Sequence, residues 1–343
     1  MNASADIINQ AVTGSLGVID QEREKEIISR RFGLNGNKET LEQIGEMLGI
    51  TRERVRQLEK AILVRLSLAA SAGKIPELIV VEKLIKRNLT EMGRAAKISD
   101  LADKVYERAS TAAERANLIF LGTISPALTL IEENDKYHYG LAIADYGDTK
   151  AVTSAIDQVV AIIKENKSPM TVDELDHKLD YEHPSYITAI ASLSKLLSSL
   201  GKLWGLSKWP TVNPKNIRDK IFVILDEHKS PMHFSEISKA ISSSDFRRKN
   251  VTTQAIHNEL IKDPRFILVG RGIYALDSWG YSKGTVSDVI KQILVQAGEP
   301  LSRDEIVKRV LKVRQVKETT ILLNLQNRSL FSRVDKNTYS IVK

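Results

Sequence analysis

The chain's best candidates for recognising another molecule are the long polar side chains of residues 51–66, TRERVRQLEKAILVRL. At about 100° of rotation per residue, one side of a helix here carries five of them: Arg52, Glu53, Arg56, Gln57 and Lys60. The other side carries an apolar stripe that must be buried: Val55, Leu58, Ile62 and Leu66. Arg can donate to guanine O6 and N7, Glu can accept from cytosine N4, and Gln can pair with adenine. The polar side therefore suits the base edges of a DNA groove.

A shorter amphipathic helix precedes this one, and a glycine turn joins the two. Thr40 with Gln43 three residues later forms a capping-box pattern at its start. Gly49 follows its last apolar residue, where a left-handed conformation ends a helix, and Thr51 can cap the next one. The segment 40–66 therefore predicts a helix-turn-helix.

The residues TRERVRQLE, with REKEIISRRFGL at 23–34, resemble region 4 of the primary bacterial sigma factors over roughly residues 15–70. The resemblance implies that the second helix lies in the major groove of the promoter −35 element. It implies base contacts from four residues: Arg52, Glu53, Arg56 and Gln57. It also implies contacts to the DNA backbone, those of Leu41 and Glu42 through main-chain groups at a helix N-terminus: Arg23, Arg31, Thr40, Leu41, Glu42 and Lys60.

Two points qualify this resemblance. The family usually has a lysine where this chain has Ala61, and Lys60 sits one place earlier, so that backbone contact is shifted or absent. About twenty residues precede Arg23, too few for the aromatic-rich helices with which a sigma factor captures a melted strand. We therefore expect the chain to read duplex DNA without opening it. An ordinary helix-turn-helix unrelated to the polymerase is the alternative.

An internal repeat occupies the rest of the chain. The segments NKSPMTVDEL at 166–175, HKSPMHFSEI at 228–237 and AGEPLSRDEI at 297–306 each open a helix. An aromatic-x-aliphatic mark recurs at Tyr139, Trp204, Tyr274 and Tyr339, at spacings of 65, 70 and 65 residues. A period of this length indicates four small domains rather than a solenoid, whose units usually run to about 20–50 residues.

Each repeat reads as helices followed by a β-hairpin, the pattern of a winged helix. In 266–276, FILVGRGIYAL, two β-prone runs flank Gly270-Arg271-Gly272, which is a strong hairpin signal. KLWGLSKWP at 202–210 and GIYALDSWGY at 272–281 resemble the closing strand of the HARE-type helix-turn-helix domain of the RNA polymerase delta subunit. We therefore predict five domains: a sigma region 4-like domain at 1–74, a divergent winged-helix unit at 75–150, HARE-like units at 151–213 and 214–282, and a basic winged-helix unit at 283–343.

The formal charge is concentrated at the C-terminal end. The five predicted domains carry net charges of +1, −2, −1, +3 and +6 in chain order. Because phosphate neutralisation dominates duplex affinity, the last two are the better DNA candidates and the two acidic units suit a protein surface. For the residues of these last two domains, a merely solvated basic surface is the alternative to DNA contact. The candidate residues are Arg247, Arg248, Lys249, Gln254, Asn258, Arg271, Lys312, Arg314, Lys317 and Arg328.

The sequence offers no catalytic constellation. It has no cysteine, no phosphate-cradling glycine motif, and six histidines without metal-ligand spacing. It has no apolar span of 18 residues. We therefore expect no enzyme activity, cofactor, metal, small-molecule substrate or membrane contact, and a soluble cytoplasmic protein.

These patterns predict a mainly α-helical protein in which the N-terminal helix-turn-helix precedes tandem winged-helix domains with small β-wings. The predicted function is a sequence-specific transcription regulator that recognises a −35-like element, with double-stranded DNA as its partner. The alternative is an RNA polymerase-associated accessory or sigma-like initiation factor that acts mainly through protein contacts with the polymerase core.

Overall fold

The N-terminal part of the protein is helical. The structure, a computed structural model, describes residues 3–179, 181, 183–246 and 250–342. Four helices come first: α1 (Ala3–Gly17), α2 (Glu22–Phe32), α3 (Leu41–Leu48) and α4 (Arg52–Ser71). Helices α3 and α4 form the predicted helix-turn-helix.

Two repeats of one pattern follow, each consisting of a helix, a short strand, two helices and a β-hairpin. The first contains α5 (Pro76–Glu91), β1 (Ala95–Lys97), α6 (Ile98–Tyr106), α7 (Ala112–Ile124), β2 (Leu128–Ile131) and β3 (Gly140–Ile143). The second contains α8 (Thr149–Asn166), β4 (Met170–Thr171), α9 (Val172–Leu179), α10 (Pro184–Leu193), β5 (Leu197–Leu200) and β6 (Leu203–Leu206).

The C-terminal part contains two more repeats with the same order of elements. The third contains α11 (Ile217–His228), β7 (Met232–His233), α12 (Phe234–Ser243), α13 (Thr253–Lys262), β8 (Phe266–Gly270) and β9 (Ile273–Leu276). The fourth contains α14 (Val286–Ala297), β10 (Leu301–Ser302), α15 (Arg303–Val313), α16 (Glu318–Leu325), β11 (Phe331–Asp335) and β12 (Thr338–Ile341).

Every repeat closes with a three-stranded antiparallel sheet in which the last strand lies in the middle. In the second to fourth repeats, the residue after the proline of the opening segment and the aromatic residue of the aromatic-x-aliphatic mark are cross-strand partners in this sheet. Met170 lies opposite Trp204, Met232 opposite Tyr274, and Leu301 opposite Tyr339. These residues are repeated along the chain because they pair the short first strand with the hairpin. The protein as a whole is mainly helical with small antiparallel sheets.

The chain divides into two compact units, Met1–Lys208 and Trp209–Lys343. In the first, one hydrophobic core is continuous from α1 and α4 into α5 and α7, with Ile8, Leu66, Leu78 and Phe120 fully buried in it. This core crosses the predicted boundary at residue 74. The finer division into five domains stays a prediction.

Within Trp209–Lys343, the hairpin of the third repeat is bonded to the fourth repeat. The Gln315 amide donates to the Val269 carbonyl (3.1 Å), and Arg314 Nη1 donates to the Leu268 carbonyl (2.6 Å) and, at 3.3 Å, to that of Ser282. A Cβ at Gly270 would lie 2.6 Å from the Gln315 carbonyl oxygen. The two repeats therefore meet along a main-chain contact too close for a side chain at position 270.

Candidate nucleic-acid interface

The turn between α3 and α4 is formed by the capping and glycine residues that the sequence pattern predicts. Thr40 accepts from the Gln43 amide while the Gln43 side chain accepts from the Thr40 amide, which is a complete capping box. Gly49 adopts a left-handed φ of 66° and ends α3, and Thr51 caps α4 through the Arg54 amide. The helix-turn-helix prediction is confirmed in its local chemistry.

A small apolar core fixes the angle between the helices of this motif. Ile27, Ile44 and Val55 are fully buried and pack with half-buried residues around them: Leu41, Leu48, Ile50 and Leu58. The backbone at position 45 lies against this turn, since a Cβ on Gly45 would come within 2.7 Å of the Ile50 carbonyl oxygen. Helix α4 is therefore held by a tight turn with its opposite side open to solvent.

The four predicted base-contacting side chains are together on that open side, which we call the reading face (Arg52, Glu53, Arg56 and Gln57). All four residues are exposed. Arg56 holds Glu53 through two hydrogen bonds of 2.7 and 2.9 Å, and Gln57 donates to the same carboxylate at 3.4 Å. Arg52 reaches back to Glu42 of α3 at 2.8 Å. The reading face is thus a charged network with no apolar cover.

The network sets the electrostatics of the face. The hydrogen bonds from the Arg56 guanidinium lower the pKa of the Glu53 carboxyl below its ordinary value. Glu53 is therefore an anion, and hence an acceptor, at neutral pH. Because both side chains are exposed and water screens their attraction, such ion pairs are weak and can exchange for base contacts at small cost.

The predicted backbone-contacting residues divide into two groups. Leu41 and Glu42 lie in the first turn of α3, where main-chain N–H groups have no helical acceptor, and Lys60 is exposed on α4. Arg23 and Arg31 instead bond to the protein: Arg23 donates to the Leu48 carbonyl (2.8 Å), and Arg31 pairs with Glu59 (3.1 Å). Sequence reasoning missed Glu59, which carries no motif and acts by holding Arg31 against α4.

The third and fourth repeats contain six of the predicted DNA-contacting residues at exposed positions of the described chain. They lie on α13, in the β8–β9 turn, and on or beside helices α15 and α16. The six are Gln254, Asn258, Arg271, Lys312, Lys317 and Arg328. Gln254 and Asn258 bond to each other at 3.1 Å on α13. Arg247, Arg248 and Lys249 lie outside the described residues.

The prediction that Arg314 contacts DNA needs correction. Its side chain is buried, with 6% of the residue exposed, and it donates to the carbonyls of Leu268 and Ser282. Burial lowers the pKa of the guanidinium from its very high ordinary value. Arg314 thus joins two repeats. Its neighbours in sequence gave no sign of this, because the acceptors lie 46 and 32 residues away.

Among the residues described, no three His, Asp or Glu side chains are grouped so as to hold a metal ion. No helix in the same residues has the length and apolar character needed to cross a membrane.

Comparison with known proteins points to the same N-terminal segment. The family model described as Sigma-70, region 4 matches residues 21–67. RNA polymerase sigma factor sigB of Arabidopsis thaliana is 51% identical over 51 residues, which is 15% of this chain and 8% of that protein. The chloroplastic sigma factor sigF of the same plant is 40% identical over 67 residues, 19% of this chain and 12% of its own length.

A bacterial relative matches in the same way. RNA polymerase sigma factor RpoD of Helicobacter pylori is 51% identical over 53 residues, covering 14% of this chain and 8% of the relative. The chain thus spans a small fraction of the sigma factors that it matches. A crystal structure of the bacterial selenocysteine-specific elongation factor EF-Sec aligns over 76% of this chain and 40% of its own, at 13% identity and a TM-score of 0.22, which carries no inference about fold or function. Residues 21–67 form a sigma-70 region 4 domain within a longer chain.

Proposed function

We propose that this protein is a sequence-specific DNA-binding transcription regulator that recognises a −35-like promoter element through α4. One observation carries the proposal: the segment matching sigma-70 region 4 presents Arg52, Glu53, Arg56 and Gln57 together on one exposed helix face. These side chains supply both donors and acceptors for base edges in the major groove.

Recognition follows from exchange of partners on the reading face. On entering the groove, Arg56 leaves Glu53 for guanine, Glu53 turns to a cytosine amine, and Gln57 addresses adenine. Thr40, Leu41 and Glu42 at the start of α3 would hold the phosphates, since N–H groups at a helix N-terminus bind anions. The base contacts set the sequence and the α3 contacts set the register.

We propose further that the four repeats are winged-helix domains of the HARE type, which divide the chain at the predicted boundaries. Support comes from the repeated order of helix, strand, two helices and hairpin, and from the central position of each closing strand. The third and fourth repeats, with net charges of +3 and +6, would add phosphate contacts. In this proposal the protein is a cytoplasmic factor without catalytic activity.

A second function has support of its own. Beyond the reading face, α4 exposes Val64 and Leu68, which are 51% and 65% accessible. Val64 lies in the segment that matches sigma-70 region 4, and Leu68 directly follows it. Contiguous exposed apolar surface marks protein-binding sites, and this pair would contribute to one. A polymerase accessory factor, docked through this part of α4, is therefore the alternative.

The deciding experiment is selection of bound sequences from random duplex DNA with the full-length protein, followed by mobility shifts on the selected site with and without core RNA polymerase. Enrichment of one motif, and a shift without polymerase, are expected for the regulator. A shift that requires polymerase would favour the accessory factor. No enriched motif under either condition would contradict the role of α4 in reading DNA.

A further inference from the structure

A cavity of about 400 Å³ within residues 1–208 has no part in the proposed DNA recognition. It lies between the first and second repeats. Three tyrosine rings line it: Tyr146, Tyr181 and Tyr186. The ring centroids of Tyr146 and Tyr186 are 5.9 Å apart and those of Tyr181 and Tyr186 are 5.4 Å apart. Its volume falls in the range of pockets that hold small organic ligands, about 300–1,000 Å³.

The cavity exists because α8 presents small or polar side chains along the stripe that faces the tyrosines. Ala151, Ser154, Ala155 and Gln158 are spaced as i, i+3, i+4 and i+7, and all four line the space. The stripe next to it on α8 carries Val152, Ile156, Val159 and Ile163, which fill the core as expected. Side chains of that size at 151 and 154 would occupy the cavity.

Main-chain contacts away from the cavity lining join the first repeat to the second, so the two sides of the cavity are held together without a ligand. The His138 amide donates to the Leu193 carbonyl at 2.8 Å, and the Lys195 amide donates to the Lys136 carbonyl at 2.7 Å. Gly93 packs directly against the Ser185 carbonyl at the start of α10, where a Cβ has no room. A pre-formed site loses little conformational entropy on binding.

One residue at the rim is held in an uncommon conformation. Arg94 has a left-handed φ of 73°, which is rare for a residue other than glycine and costs about 1 kcal/mol or more. This backbone brings its guanidinium carbon to 4.4 Å from the centroid of the Tyr146 ring. Among the described residues no carboxylate pairs with Arg94. A cation that no described carboxylate pairs with thus lies beside aromatic faces.

We propose that this cavity binds a nucleotide, with the base among the tyrosine rings and the phosphate on Arg94. Aromatic side chains stack on unpaired bases, and guanidinium groups form charge-assisted hydrogen bonds with phosphate. Ser154 and Gln158 supply hydroxyl and amide groups for the base edge. The nucleotide is either free, as an effector, or an unpaired position of a nucleic-acid strand. The inference goes beyond duplex recognition by α4 and does not depend on it.

Isothermal titration of the full-length protein with AMP, GMP, CMP and UMP tests the inference directly. Ribose 5-phosphate and adenosine separate the contributions of phosphate and base, and a short oligothymidylate tests the strand as source. Tetramethylammonium tests the alternative that the tyrosine rings bind an organic cation. Asp180 and Glu182, which lie outside the described residues, flank Tyr181 in the sequence and carry the negative charge that such a cation would favour. We expect at least one mononucleotide to bind more tightly than its nucleoside and than ribose 5-phosphate. Tighter oligothymidylate binding would identify a strand as the ligand.

Two substitutions on α8 form a matched pair. Ser154→Leu fills the cavity and should weaken nucleotide binding by about tenfold or more, that is by about 1.4 kcal/mol. Ala161→Leu adds the same side chain at an exposed position of α8 away from the cavity, and binding should be unchanged. Circular dichroism of each variant verifies the fold.

Arg94→Gln separates the phosphate contact from the base contact. It should abolish the preference for mononucleotide over nucleoside while leaving nucleoside binding in place. Absence of nucleotide binding at millimolar concentration, binding that Ser154→Leu leaves intact, or binding of tetramethylammonium in place of nucleotides would each overturn the inference.

Discussion

The reading face is a set of exposed charges that satisfy one another in the free protein. Arg52 pairs with Glu42, and Arg56 pairs with Glu53. Because these side chains are more than half exposed, their attraction is screened by water and the pairs are weak. DNA bases can therefore replace protein partners without a large penalty. The preorganisation lies in the backbone of α4, while the side chains remain adaptable.

Replacing Arg52 or Gln57 by Ala should relax the preference at individual base pairs by roughly 1–3 kcal/mol while leaving the fold intact. Competition mobility shifts with single-base variants of the selected site measure this preference. Arg54→Ala is the control, because Arg54 is exposed on α4 but about 100° or more of rotation away from Arg52 and Arg56. It should leave the preference among sequences unchanged. Equal loss on all sequences for Arg52→Ala would count against direct readout.

Arg314 shows how a residue of the same type can have an entirely structural role. Its guanidinium holds two carbonyls from separate segments and is almost fully shielded from solvent. Arg314→Ala leaves both acceptors without this donor, which should lower the free energy of unfolding of residues 209–343 by about 1–3 kcal/mol. Urea denaturation of the full-length protein measures the loss.

Lys312→Ala is the matched change for Arg314→Ala, because Lys312 is exposed two residues away. It should change the free energy of unfolding by no more than about 0.5 kcal/mol. An Arg314→Ala variant as stable as the parent would mean that the cost of burying the guanidinium cancels its hydrogen bonds.

At the scale of elements, the geometry of the helix-turn-helix depends on a glycine that the sequence did not single out. Gly45 lies inside α3 and takes an ordinary helical conformation, so a glycine is needed there only because a side chain would not fit. The Ile50 carbonyl lies where a Cβ would be. The close approach of this turn to α3 sets the position of Thr51 and hence the start of α4.

Gly45→Ala should therefore destabilise the protein by roughly 1–3 kcal/mol, the usual cost of overpacking, and should weaken DNA binding by shifting α4. Thermal unfolding and the mobility shift report the two effects. Gly17→Ala, at the end of α1, meets no atom within 4 Å and should be neutral or slightly stabilising. If Gly45→Ala left both stability and binding unaltered, α3 would be free to adjust and the turn would not position α4.

Sequence patterns predicted the elements that depend on local chemistry. The cap at Thr40, the left-handed Gly49 and the hairpin at 270–272 are each set by a few neighbouring residues, and the structure has all three. The tyrosine-lined cavity was not predicted, since its walls come from residues 94 to 186 and share no motif. The role of Arg314 was misread for the same reason. Long-range packing decides whether a basic side chain faces solvent or a carbonyl.

For the whole molecule, the charge is unevenly distributed along the chain. The fourth repeat carries +6 while the first two repeats are acidic. Within the fourth repeat, Lys312, Lys317 and Arg328 are exposed and Arg314 is not. Phosphate contacts from this repeat must therefore come from the exposed set.

Changing Lys312, Lys317 and Arg328 together to Gln should weaken binding to any duplex and make the plot of log affinity against log salt shallower. The slope should change by about 0.9 for each DNA phosphate that the protein no longer neutralises. Lys164→Gln, Lys167→Gln and Lys202→Gln in the acidic second repeat remove the same charge from exposed positions and should have a smaller effect on the slope. Equal slopes for the two triple variants would indicate that the C-terminal charges only face solvent.

The continuous core of the first unit limits how the DNA-reading segment can be engineered. Ile8, Ile62 and Leu66 are buried in the same cluster as residues of α5 and α7, and Phe32 meets Phe120 edge to face at 5.3 Å. A fragment cut at residue 74 would expose this apolar surface to water. A chimera that borrows another promoter specificity must therefore graft single side chains onto α4, because exchanging the segment as a cassette would also remove side chains that complete its neighbour's core.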